Sequence, residues 1–157
     1  MVINLILRIA LALLVLLVLA IVSYKDAKTS EIPDALSLAL LVLGVVALIV
    51  VPEISLRDRM VGLVAVACPL LLVSLIRKGS IGGGDIKLMA AAGFLLGWQS
   101  VLLAAAVGIL GAAAYAIALI VRKQAKGDHK FPFGPFLCVG IAVAYFFGGN
   151  LIAMLFG

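Results

Sequence analysis

Long apolar blocks separated by short polar stretches set the pattern of this chain. Residues 3–23, INLILRIALALLVLLVLAIVS, carry a single charge, Arg8. About 20 apolar positions at ~1.5 Å per residue are enough to cross a hydrocarbon core of roughly 30 Å. The block is longer than the ~7–15 residues of a signal-peptide core and has no clear A-x-A site, so it reads as a retained helix. A second block, 33–51, opens with Ile32-Pro33-Asp34, which puts proline near the first helical position and an acid in the first turn. Val51-Pro52-Glu53 closes it.

A third block covers 60–76, between Arg57-Asp58-Arg59 and Arg77-Lys78. The stretch 85–99 is harder, because Asp85 to Gly97 as a helix reaches only about 20 Å, too short for a full crossing. A fifth block, 100–121, is rich in Gly and Ala, including Gly108 and Gly111, and suits close packing against neighbouring helices. The sixth runs from 134 to 156.

Composition fixes the class. With 66% hydrophobic and 12% charged residues and a mean hydropathy of +1.37, the chain is far from the roughly 25% charged content of soluble domains. It reads as one all-α, polytopic membrane domain, 1–157, with about six transmembrane helices. Cys68 and Cys138 lie in apolar blocks without CxxC spacing and read as packing residues. His129 is the only histidine, which excludes a multi-histidine metal site and a Ser-His pair within the bilayer.

Charge supports the count of six. The loops 24–32, 77–87 and 122–130 share one side of such a bundle and hold Lys25, Lys28, Arg77, Lys78, Lys87, Arg122, Lys123, Lys126 and Lys130, nine of the twelve basic residues. The other side has Arg8, Arg57 and Arg59. The positive-inside rule then puts the basic loops in the cytoplasm and both termini outside. Asp26, after span one, and Asp85, opening span four, fall on the same cytoplasmic face.

A carboxylate at the edge of the bilayer carries a large desolvation cost and asks for a function. Two that approach closely cannot both ionise cheaply, so one keeps a proton while the other stays anionic. Such a pair can activate a water for attack on an amide carbon without metal or cofactor. Spans one and four packed side by side would bring Asp26 and Asp85 together. Plainer readings stand beside this one: Asp26 as a solvated interfacial charge next to Lys25 and Lys28, and Asp85 as an N-cap after Gly82-Gly83-Gly84. A phosphate loop is disfavoured, since no GKS or GKT follows and no strand precedes.

Three motifs sharpen the choice. Asp26-Ala-Lys-Thr-Ser-Glu-Ile-Pro-Asp34 resembles the D-x(5)-[IL]-P-[DN] motif of type IV prepilin peptidases. Gly82-Gly83-Gly84-Asp85-Ile-Lys87-Leu resembles their G-x-G-D-x-K-L motif, and Phe131-Pro-Phe-Gly-Pro-Phe-Leu137 their PFGPFL block. That family consists of polytopic GxGD-type aspartic endopeptidases.

The resemblance implies that Asp26 and Asp85 are the catalytic pair, with Gly82, Gly84, Lys87 and Asp34 shaping the site. It also implies a substrate, the leader of a type IV prepilin or pseudopilin, cut at the cytoplasmic face of the plasma membrane just before the pilin's apolar helix, typically after a glycine. No paired CxxC region precedes span one, so the resemblance is to the short, peptidase-only members, without zinc or S-adenosylmethionine. No metal, cofactor or nucleic acid is expected, and the partners are the prepilin and the bilayer. Phe131 to Leu137 reads as architectural, and Lys87 either tunes the pair, binds a substrate carboxylate or snorkels at the interface. A small proton-coupled transporter using the same acids, an archaeal preflagellin-type peptidase and a non-catalytic assembly subunit are the alternatives.

Overall fold

The computed structural model describes residues 2–77, 81–122 and 133–156. Its helices are α1 (Val2–Thr29), α2 (Asp34–Val50), α3 (Leu56–Ala65), α4 (Ala67–Ile76), α5 (Gly83–Leu96), α6 (Trp98–Val121) and α7 (Gly134–Phe156), and no strand occurs among the described residues. Only Val66 separates α3 from α4, so Leu56–Ile76 forms one broken rod. Pro69 supplies the break: it has no N–H to return to the carbonyl of Ala65, four residues back. Six rods result, as the apolar blocks predict, and successive rods run in opposite directions.

Element ends differ from the sequence expectation in ways that bear on the acids. α1 continues beyond residue 23 and keeps Asp26 in its last turns, because nothing from Tyr24 to Thr29 opposes a helix. It stops where Ser30 turns to φ 52°, with the Ser30 amide donating to the Asp26 carbonyl. α5 begins two residues before Asp85, with Gly82 in the cap position. Asp85 therefore lies inside the first turn and is not the N-cap. The α3 rod starts earlier than residue 60, because Ser55 caps it by accepting from the Asp58 amide.

α1, α6 and the α3–α4 rod are each long and apolar enough to cross a membrane. Large apolar side chains such as Leu13, Ile49, Ile76 and Leu110 cover the outside of the bundle. Lipid accepts that surface at no penalty, and the helical backbone needs no water.

α5 is the exception in length, with 14 residues or about 21 Å. Its short span is tolerable because the bundle encloses it: Leu88, Met89, Ala92, Leu95 and Leu96 are buried, and α2, α3, α4, α6 and α7 all pack against it. The closest approach is glycine on glycine. A methyl on Gly93 would stand 2.0 Å from the Gly62 carbonyl oxygen, and one on Gly62 2.3 Å from the Gly93 oxygen. At the end of α5 the chain turns through Gly97, whose φ of 79° suits glycine, directly into α6. Gly108 lies against Leu137 and the Phe136 carbonyl, as its small-residue setting predicts.

Arg59, counted from sequence as a loop charge, is wholly buried, with no exposed surface. Arg8 instead pairs with Glu53 at the same end of the bundle, and its hydrogen bond holds the Glu53 carboxyl below the usual glutamate range.

Candidate active site

Asp26 and Asp85 lie at one end of the bundle and are buried, 6% and 7% exposed. They are close enough for the charge of Asp26 to act on Asp85. Each carboxylate meets the positive end of a helix, although Asp26 itself belongs to the last turns of α1. Asp85 is in the first turn of α5, and Asp26 Oδ2 accepts the amide of Gly134, the first residue of α7, at 2.9 Å. Unsatisfied N–H groups and the helix dipole favour negative charge at both positions, offsetting part of the desolvation.

The two helices do not reach this arrangement by packing side by side. α1 runs along α2 and α7, while α5 runs along α2, α3 and α6, and α1 and α5 share no extended interface. The expectation that spans one and four lie together is therefore corrected: α2 and α7 bridge them. Ile32, in the link from α1 to α2, lies over the start of α5 so closely that a methyl on Gly84 would stand 2.8 Å from Ile32 Cβ. Gly134 is tighter still, since a methyl there would meet Asp26 Oδ2 at 2.7 Å. All three sequence motifs thus converge on one place, each through a residue that admits close approach.

Gly84→Ala is accordingly expected to push α5 away from Ile32 and misplace Asp85. If Asp85 takes part in the reaction, a displacement of an ångström is enough to cost about 10- to 100-fold in turnover. The check is kcat of the purified variant against Gly83→Ala, whose added methyl meets nothing within 4 Å.

The remaining motif residues are placed as follows. Gly82 caps α5 in an extended conformation, and its carbonyl accepts from the Asp85 amide at 3.1 Å. A methyl on Gly82 would come 3.3 Å from Asp85 Oδ2. Lys87 does not reach the acids; its Nζ donates to both oxygens of Asp34 at 2.7 Å, on the exposed outside of the α2–α5 pair. Asp85 Oδ1 is buried and has no hydrogen-bond partner among the described residues. It is thus an acceptor available to a water or a substrate. His129, Phe131 and Pro132 lie outside the described residues.

Space for a ligand flanks this end. A pocket of about 500 Å³ lies between Tyr24, Lys28, Ile32 and Pro33, and one of about 440 Å³ lies between α2 and α5 beside Asp34 and Lys87. A cavity of about 610 Å³ occurs at the opposite end, by Arg8, Glu53, Asp58 and Trp98. That opposite cavity holds neither Asp26 nor Asp85. Sequence reasoning assigned no role to Ile32, Gly134 or Arg59. Ile32 and Gly134 carried a signal, as positions of the first and third motifs.

A model of the type IV leader peptidase family matches residues 13–117. The chain is 34% identical over 137 residues to a prepilin leader peptidase/N-methyltransferase of Burkholderia pseudomallei (strain K96243), covering 84% of this chain and 44% of that protein. It is 36% identical over 140 residues to the protein of that name from Pectobacterium carotovorum subsp. carotovorum, covering 82% and 48%. To the one from Bacillus subtilis (strain 168) it is 30% identical over 135 residues, covering 86% and 54%. The chain thus spans about half the length of the curated relatives it matches. No solved structure matches it. With the family match running from α1 through Asp26 and Asp85 into α6, this chain belongs to the type IV leader peptidase family.

Proposed function

We propose that this protein is a membrane endopeptidase that removes the N-terminal leader of type IV prepilin-like proteins, with Asp26 and Asp85 as its catalytic pair. The observation that carries the reading is the burial of two carboxylates at one end of the bundle, Asp85 in the first turn of α5 and Asp26 against the first amide of α7, at the point where the three motifs meet.

The chemistry follows from sharing one proton. The anionic carboxylate takes a proton from water as the oxygen attacks the scissile carbonyl carbon. The protonated one donates a hydrogen bond to the carbonyl oxygen and stabilises the negative charge that develops there. Collapse of the tetrahedral intermediate breaks the C–N bond, and a proton from the pair goes to the leaving nitrogen. The products are a carboxylate on the leader and a new amino terminus on the pilin, and the pair returns to its starting charge. Gly82 sets no side chain against Asp85 Oδ2, where a methyl would stand at 3.3 Å, whereas the space at Gly84 is filled by Ile32. The reaction needs no side-chain nucleophile.

In this reading all six rods cross the plasma membrane and the basic loops face the cytoplasm. Both acids then stand at the cytoplasmic edge, where a leader emerging from the bilayer is accessible to them. The Lys87–Asp34 pair acts as an exterior tie between α2 and α5 and stays clear of the reacting atoms. Because exposed ion pairs contribute little, Lys87→Met is expected to keep cleavage within about twofold of wild type. Initial rates of the purified variant check this.

The functional test is direct. The purified chain in detergent or nanodiscs is incubated with a type IV prepilin, and the products are read by mass spectrometry. A pilin shortened at its leader junction is the expected result; an intact prepilin after incubation with folded enzyme would refute the proposal.

A further inference from the structure

α2 and α5 lie side by side and run in the same direction. Both start at the acid end, where Ile32 covers Gly84 and Lys87 binds Asp34. Both finish at the opposite end, where Gly44 packs against Phe94 and the Leu95 backbone. Parallel neighbours put like ends of their dipoles together. The negative ends, with carbonyl groups lacking intrahelical partners, are thus paired inside the bundle.

Arg59 sits between those ends and has no exposed surface. Its Nη2 donates to the carbonyls of Ala47 (3.0 Å) and Val51 (2.9 Å), where α2 finishes. Its Nη1 donates to Phe94 (3.2 Å) and Leu95 (2.8 Å), where α5 finishes, and Nε reaches Ile54 at 3.4 Å. The planar fork of a guanidinium offers five donors to the two helix ends, where a lysine ammonium offers three. No acid among the described residues pairs with it; its charge is balanced by the two helix ends.

We propose that Arg59 is a positioning residue for the active site: by clamping the far ends of α2 and α5 it sets the axial register that lays Ile32 over Gly84 and holds Asp85 beside Asp26. The proposal rests on the peptidase reading above. α5 is short and rigid, so a shift at its far end is transmitted to its first turn with little loss. At the near end the competing tie, Lys87–Asp34, is exposed and weak. Register is therefore controlled from the far end. Gly62 and Gly93 hold α3 against α5, and Gly44 packs α2 against Phe94 and the Leu95 backbone; Arg59 adds the polar tie between the ends of α2 and α5.

The experiment compares wild type, Arg59→Met and Arg59→Lys as purified membrane proteins, with rates normalised to the monodisperse folded fraction. kcat, KM and the pH profile of prepilin cleavage are measured for each. For Arg59→Met the expected result is a fall in kcat of about 10- to 100-fold with KM within about twofold, together with a displaced pH profile, since the spacing of the two acids sets how they share a proton. Arg59→Lys, keeping the charge and one or two of the bonds, recovers part of kcat. A fall in activity that only tracks lost folded protein, with kcat per folded molecule and pH profile unmoved, overturns the proposal. So does failure of both variants to insert and fold, which would make Arg59 a folding determinant. Absence of cleavage by folded wild type would instead refute the peptidase reading itself.

Discussion

Asp85→Asn and Asp26→Asn are each expected to lower prepilin cleavage by about two to four orders of magnitude, the range for loss of a positioned acid or base. An amide in place of either carboxylate cannot take a proton from water or donate the shared one. Geometry argues that the variants still fold. Asp85 Oδ1 has no partner among the described residues, and neutralising a buried acid relieves desolvation. At Asp26 the asparagine oxygen can still accept from the Gly134 amide. Insertion and thermal stability near wild type, alongside the lost cleavage, separate catalysis from folding. Near-normal cleavage by either variant would remove that residue from the catalytic pair.

The same argument gives the pH dependence its shape. Cleavage needs one proton on the pair. As pH falls, the anionic member is protonated and the base is lost; as pH rises, the shared proton leaves and the acid is lost. kcat/KM is expected to pass through a maximum, with both limbs belonging to the pair and not to one residue.

Gly93→Ala is expected to be the most damaging conservative change to the fold. Its methyl would lie 2.0 Å from the Gly62 oxygen and 2.4 Å from the Gly62 carbonyl carbon. Both obstacles are backbone, so no side chain can rotate aside and α3 must separate from α5. Overpacking of a close-packed interior costs about 1–3 kcal/mol, and rigid contacts on both sides put this change at or above the top of that range. Gly62→Ala meets the reciprocal contact and carries a similar expectation. Thermal unfolding in detergent reads the effect, with Gly83→Ala as the control. A Gly93→Ala protein as stable as that control would show that the α3–α5 crossing yields to a methyl.

Much of the fold is legible along the chain. Apolar length identifies α1 and α6, Pro33 and Asp34 mark the start of α2, and the small residues around Gly108 indicate close packing. Helix ends were less legible, because the polar run Lys25 to Thr29 looks like a loop yet continues α1. At the site, the two acids were recognisable from their motifs. Their bridging was not: Ile32 stands in the first motif, but that it closes over Gly84 depends on neighbours distant in sequence. Arg59 was misread for the same reason: beside Arg57 and Asp58 it has the pattern of a solvated loop charge.

By itself the sequence determined that this is an all-helical membrane protein with two acids at helix edges, because hydropathy and residue type are local properties that need no partner. Only the tertiary structure decided that α2 and α7, and not direct packing of α1 on α5, bring Asp26 and Asp85 together, and that Arg59 is buried between two helix ends. Those outcomes depend on which backbones can approach closely. That is set by glycines and carbonyls facing one another across helices distant in sequence, a relation that spacing along one chain does not encode.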